Sequence, residues 1–314
     1  PPHWQQQQQP QQQRNRADVV LGLAIRRNAA GYALLRFRDL RPLQFGLADV
    51  GRAAEVQQKA AELAAVLRGL REEAGKKLRH AEDGAGHGLG WGDADEDEDE
   101  EDEHIWPPSQ SSASSSSASG VVSGKALRWV VSFDDSTVDR GRPSNNAENA
   151  AQRSIAMLQG LVVGDCKRLF KVAPILVNPM RSRQLLGVRG RGPEARKEVY
   201  EAATSSVADF PAVRGEKSGN LKEETFLMSQ AWAAAKFAQR SALIAELRLD
   251  TDLIGEIRRE VLKTKQLQRM SEAVAELHPR KAGRDLAEAM AKRTEHLIDQ
   301  QLHRYLDDQA AGRL

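Results

Sequence analysis

The chain has 314 residues, 40% of them hydrophobic and 29% charged, which is enough to bury one sizeable core and a small second unit. Mean hydropathy is −0.57 and no apolar run approaches the about 20 residues of a membrane-spanning helix, which argues against a helical membrane protein. The formal charge of +2 conceals an asymmetry: Asp93 to Glu103 holds ten acidic residues and no basic one, so the remainder of the chain stands at +12, a balance suited to a polyanionic partner.

Residues 1 to 16 are rich in glutamine, and residues 84 to 124 pass through glycine-rich, acidic and serine-rich pieces. Neither segment holds enough apolar surface to offset the entropy of ordering it, so both are expected to be disordered. Between them, Val19 to Ile25 is an apolar run without polar alternation, the pattern of a central strand covered on both faces. Arg26 to Gly31 supplies a turn, Tyr32 to Phe37 a second strand, and Leu43 to Val50 a third. Arg52 to Lys77 then reads as a helix with Val56, Ala60, Leu63, Leu67 and Leu70 on one face.

After the insertion, Leu127 to Phe133 predicts a fourth strand ending in Asp134 and Asp135, a pair that reads as a solvated turn. Asn145 to Val163 predicts a helix, Ala173 to Asn178 a fifth strand, and Glu194 to Asp209 and Leu221 to Leu249 two further helices. The order βββαβαβαα requires parallel pairing wherever a helix connects two strands, and it places strand four beside strand one. The insertion then decorates one edge of a single domain spanning residues 17 to 249.

That order is the ribonuclease H-like order, a mixed five-stranded α/β sheet flanked by helices, and four segments resemble one of its families. LGLAIRRNAAGYALL is similar to the first hairpin of the RuvC-like Holliday-junction resolvases, including their mitochondrial cruciform-cutting branch. RWVVSFDDS resembles the strand that ends in the family's glutamate, VNPMRSRQLLGVRGRGPEARKEVY its fifth strand and the following basic segment, and LMSQAWAAAKFA the helix that carries its last acids. The resemblance implies two-metal phosphodiester hydrolysis, in which a cluster of carboxylates holds two mutually repelling divalent ions. Carried over residue by residue, the four acidic positions fall on Ala24, Asp134, Leu227 and Gln230. One acid of four remains, so the expectation is a chain with no catalytic residue, no metal and no cofactor, in which the old site has become core. Asp134 and Asp135 are the only candidates for one weak magnesium, and an active resolvase with relocated ligands is the minority alternative. Elsewhere, Cys166 is the single cysteine, which excludes an internal disulfide and suits a reducing compartment. His296 and His303 share a helix face without the spacing of a metal pair.

Nine basic residues stand between positions 167 and 197 against one acid, Glu194: Lys167, Arg168, Lys171, Arg181, Arg183, Arg189, Arg191, Arg196 and Lys197. With GVRGRG at Gly187 to Gly192 as a flexible phosphate-contacting loop, they are the expected nucleic-acid-binding residues, gripping backbone phosphates rather than bases. Residues 250 to 314 form a C-terminal helical extension: a stripe from Ile254 to Leu277, a stop at Pro279, and a second helix from Arg284 carrying Leu286, Met290, Leu297, Ile298, Leu302 and Leu306. From Asp252 to Leu314, twelve basic and eleven acidic residues point to a helical hairpin for protein partners, not for nucleic acid. Together these readings give an inactive resolvase-like protein that binds ribosomal or other structured RNA, or alternatively branched DNA, in an organellar particle. The mitochondrial cast of the resemblance makes the mitochondrion the expected compartment, with the chloroplast as the alternative; the sequence starts without Met, so localisation is not read from its terminus.

Overall fold

The computed structural model describes residues 17–51, 53, 55–83, 127–135, 146–190, 192–216, 218–277 and 281–311. The glutamine-rich start and the acidic and serine-rich insertion, both expected to be disordered, lie outside the described residues.

Five strands form one sheet in the order β3-β2-β1-β4-β5: β1 is Val19–Ile25, β2 Ala29–Arg36, β3 Pro42–Asp49, β4 Trp129–Asp134 and β5 Ile175–Val177. The first three are an antiparallel meander; β4 returns parallel to β1, and β5 pairs parallel to β4. This is the ribonuclease H-like arrangement, and it follows from chain connectivity, since short turns join antiparallel neighbours and helical crossovers join parallel ones.

Strand periodicity divides the interior into two cores. Val19, Leu21, Leu23 and Ile25 face α1 (Val56–Asp83) and α2 (Asn146–Phe170), where Ala60, Leu63, Leu67, Leu70 and Ala74 meet Leu158, Val162, Cys166 and Phe170. α2 runs beyond the expected end at Val163 because Cys166 and Phe170 continue its buried stripe, and Phe170 stacks on Trp129 with centroids 4.5 Å apart. Val20 and Ala24 face the other way, onto α4 (Gly192–Ser206) and α5 (Glu223–Leu247).

α5 lies on the sheet at backbone distance. A Cβ built on Gly22 would stand 2.0 Å from the Ala231 carbonyl oxygen, and one on Gly31 would stand 2.5 Å from the Leu227 carbonyl carbon. Only glycine on the strands lets the helix approach this closely, and the alanines of α5 keep its own surface low. Leu227, Ala231, Trp232 and Ala235 are buried in the contact.

Two helical features differ from the sequence expectation. A short helix, α3 (Pro179–Leu185), follows β5 directly, started by Asn178, whose Oδ1 accepts from the Met180 N–H at 2.8 Å, and by Pro179 in the first turn. The first tail helix is broken at Lys263 and Thr264 into α6 (Thr251–Leu262) and α7 (Lys265–Leu277), followed by α8 (Lys281–Ala310). In one continuous helix, Val261 and Leu267 would point roughly 120° apart. The break turns both onto Ile298 and Leu302 of α8. The tail is therefore not a two-helix hairpin but three helices, whose core also takes Ile244 and Leu247 from the end of α5. Among the described residues no helix is long and apolar enough to cross a membrane.

Candidate functional site

The four positions that stand for the acidic ligands of the resemblance come together. Ala24 and Asp134 are register neighbours near the carboxyl ends of the parallel strands β1 and β4, and α5 brings Leu227 and Gln230 over the same face. All four are buried, Ala24 fully and Asp134 to 4% exposure. The sequence reading of Asp134 as part of a solvated turn is therefore corrected. Asp134 is the last residue of β4, because the pairing with β1 and β5 continues through Ala24 and Val177, and the strand hydrogen-bonding persists into the Asp135 N–H, which donates to the Val177 carbonyl at 2.9 Å.

A residue absent from the expected set enters here. Arg26 ends the first strand run two positions after Ala24, so its side chain follows Ala24 onto the α5 side of the sheet. One terminal nitrogen donates to Gln230 Oε1 at 2.9 Å and stands 3.9 Å from Asp134 Oδ2, while the other donates to the Ile25 carbonyl at 3.3 Å. The period-two spacing from Ala24 was the available signal, masked because an arginine at a turn ordinarily points to water. Lys59 was missed too. It reaches from α1 to the same turn, donating from Nζ to the Arg27 carbonyl at 2.8 Å and to Asn28 Oδ1 at 3.1 Å, and it is itself buried.

The residues at this site do not fit the two divalent ions that the resemblance implies. Such ions need several anionic oxygens, whereas alanine and leucine offer no donor and glutamine offers no charge. Among the described residues no three His, Cys, Asp or Glu side chains converge anywhere.

No family model matches the chain, and no curated protein does. Solved structures of a resolvase are similar to it. Thermus thermophilus RuvC in complex with a Holliday junction substrate superposes with a TM-score of 0.38 at 11% identity, covering 71% of this chain and 92% of that one. A second Thermus thermophilus RuvC structure gives 0.36 at 11% identity, covering 73% and 96%. Similarity at this level says nothing of activity.

The nine expected nucleic-acid-binding residues do not form one patch. Lys167 and Arg168 end α2 and Lys171 follows it, before β5, whereas Arg181 and Arg183 lie on α3, after β5. β5 therefore separates them, with the α3 pair at the carboxyl ends of the parallel strands, the same end as Asp134. Several are held by acids of the described residues, among them Arg168 by Asp165 at 2.6 Å, Arg196 by Glu223 at 3.0 Å and Lys197 by Glu201 at 3.8 Å. The glycine-bearing loop is also committed, since the backbone N–H groups of Arg189 and Gly190 donate to Glu198 Oε2 at 3.0 and 3.2 Å. A carboxylate thus takes the amides that a phosphate would use, because α4 follows the loop at once and carries Glu198 in its second turn. Lys171, Arg181 and Arg189 remain exposed, and Arg191 lies outside the described residues.

Proposed function

We propose that this protein is a catalytically inactive, resolvase-like nucleic-acid-binding component of an organellar ribonucleoprotein, with a mitochondrial ribosome as its setting. The observation that carries the inactive half of this reading is the contact between α5 and the strands. The helix backbone rests on Gly22 and Gly31, and alanine and leucine stand at two of the four inferred ligand positions, so the described residues lack the several anionic oxygens that a pair of divalent ions needs. The binding half is supported by the +12 charge outside the acidic tract and by Arg181 and Arg183 at the carboxyl ends of the parallel strands. The tail is the element proposed to contact neighbouring proteins, through what its own core leaves exposed, such as Leu262.

Two measurements test the reading. Purified protein incubated with a labelled four-way junction and magnesium or manganese is expected to leave it intact; paired nicks lost on Asp134→Asn would make it an enzyme. Fractionated organelles are expected to show the protein sedimenting with ribosomal subunits. Co-purification with organellar DNA instead would place it among branched-DNA binders of the nucleoid.

A further inference from the structure

We infer that Arg26 is a built-in cation for this site: its guanidinium supplies, from within the chain, the positive charge that a metal would otherwise bring to Asp134. This deepens the inactive reading given above and rests on it. Asp134 is buried, and a buried carboxylate needs a counter-charge or a proton. Among the described residues the Arg26 guanidinium is a cation that stands beside it, its side chain only 15% exposed against 5% for Asp134.

The geometry is that of a tie between three elements. A single terminal nitrogen from the end of β1 donates to Gln230 on α5 at 2.9 Å and faces Asp134 at the end of β4 at 3.9 Å. The separation from Asp134 is that of an ion pair and not of a short hydrogen bond, so the attraction depends on the low dielectric of the closed site. Gln230 suits this role better than an acid would, because its Oε1 accepts from the guanidinium without adding a second charge beside Asp134. Ala24, the register neighbour of Asp134 on β1, adds no charge beside it either. The uncharged residues at positions 230 and 24 are thus both compatible with one built-in cation, and Lys59, holding the carbonyl of Arg27, fixes the turn from which it projects.

A double-mutant cycle read by thermal unfolding tests this. Arg26→Met keeps the apolar stem and removes the charge, leaving the Asp134 carboxylate buried. Its midpoint is expected to fall by on the order of 10 °C, with loss of soluble protein as the extreme. Arg26→Met combined with Asp134→Asn removes both charges and is expected to recover most of that midpoint, or of the soluble protein. A double variant no better than Arg26→Met would overturn the inference. So would a magnesium- or manganese-dependent rise in the parent midpoint that disappears in Asp134→Asn, because a metal would then be the counter-ion. The cycle involves no catalysis, so a junction-cutting parent would sink the proposed function while leaving this result readable, and a flat cycle would sink Arg26 alone.

Discussion

A methyl group at Gly22 would meet the carbonyl oxygen of Ala231, which belongs to a hydrogen-bonded helix and has nowhere to go. Gly22→Ala is therefore expected to destabilise the fold by about 3 kcal/mol, the upper end of ordinary overpacking, with a lower thermal midpoint as the readout. Gly69, inside α1 with open space around it, is the internal comparison. Gly69→Ala is expected to stabilise by roughly 0.5 to 1 kcal/mol through helix propensity and unfolded-state entropy. If both substitutions cost the same, the close contact of α5 with the sheet would not be the cause. Cys166 gives a second test at this scale. Burial, with Asp165 nearby, pushes its thiol up to about 12. Since the thiolate is the reactive form, a thiol reagent at pH 8 should leave the native protein unmodified and label one site in denaturant. Labelling of the native chain at the denatured rate would show that the α2 core opens.

Among the helices, α5 serves both the site and the tail, and its far end is tied to α8 by a side chain that titrates. Arg240 donates from Nε to His303 Nδ1 at 2.7 Å, from one terminal nitrogen to the His303 carbonyl at 2.7 Å, and from the other to Asp307 at 2.7 Å. The first of these bonds requires the neutral imidazole with its proton on Nε2. Burial first, then the charge of Arg240, lowers the pKa of His303, against the smaller opposing pull of Asp299 and Asp307. A base with a depressed folded pKa is fully stabilising above its unfolded value of about 6.5, and that contribution is lost as pH falls from there through the folded value. The tail is accordingly expected to loosen as pH falls below about 6.5, seen as a falling thermal midpoint. His303→Asn keeps an acceptor near Nδ1 without titrating and should show a shallower fall; parallel curves would remove His303 from the contact. Elements of this kind were partly legible. The strands showed as bounded apolar runs, and β4 beside β1 followed from connectivity alone. The break at Lys263 was not visible, because Ile254 to Leu277 also fits one continuous stripe. Only the position of α8 decides that Val261 and Leu267 must face the same way.

For the whole molecule, charge was readable as a total but not as a pattern. Composition gave nine basic residues in one segment, yet Arg168, Arg196 and Lys197 are paired with acids and β5 divides the segment. That Ala24, Asp134, Leu227 and Gln230 lie together was legible, and the part of Arg26 was not, because its partner Gln230 is 204 residues away. The division predicts unequal contributions to binding. Arg181→Gln with Arg183→Gln should reduce the salt slope of RNA or junction binding by roughly 0.7 to 0.9 for each phosphate no longer neutralised, while Arg196→Gln with Lys197→Gln should change it less. Equal slopes in all three proteins would move the nucleic-acid surface away from α3.

The position of β1 also bears on the order in which the molecule comes apart. It is hydrogen-bonded along both edges, covered by α1 and α2 on one face and pressed on the other by a helix backbone that cannot slide past Gly22. No local fluctuation releases its amides without separating both cores, so they exchange with deuterium only through global unfolding. In native-state exchange Val20 to Leu23 should be the slowest protons of the chain. The three-residue edge strand β5 should exchange long before them through openings that leave the cores intact. The time separating the two sets measures how far the sheet can open at its edge while its centre stays shut.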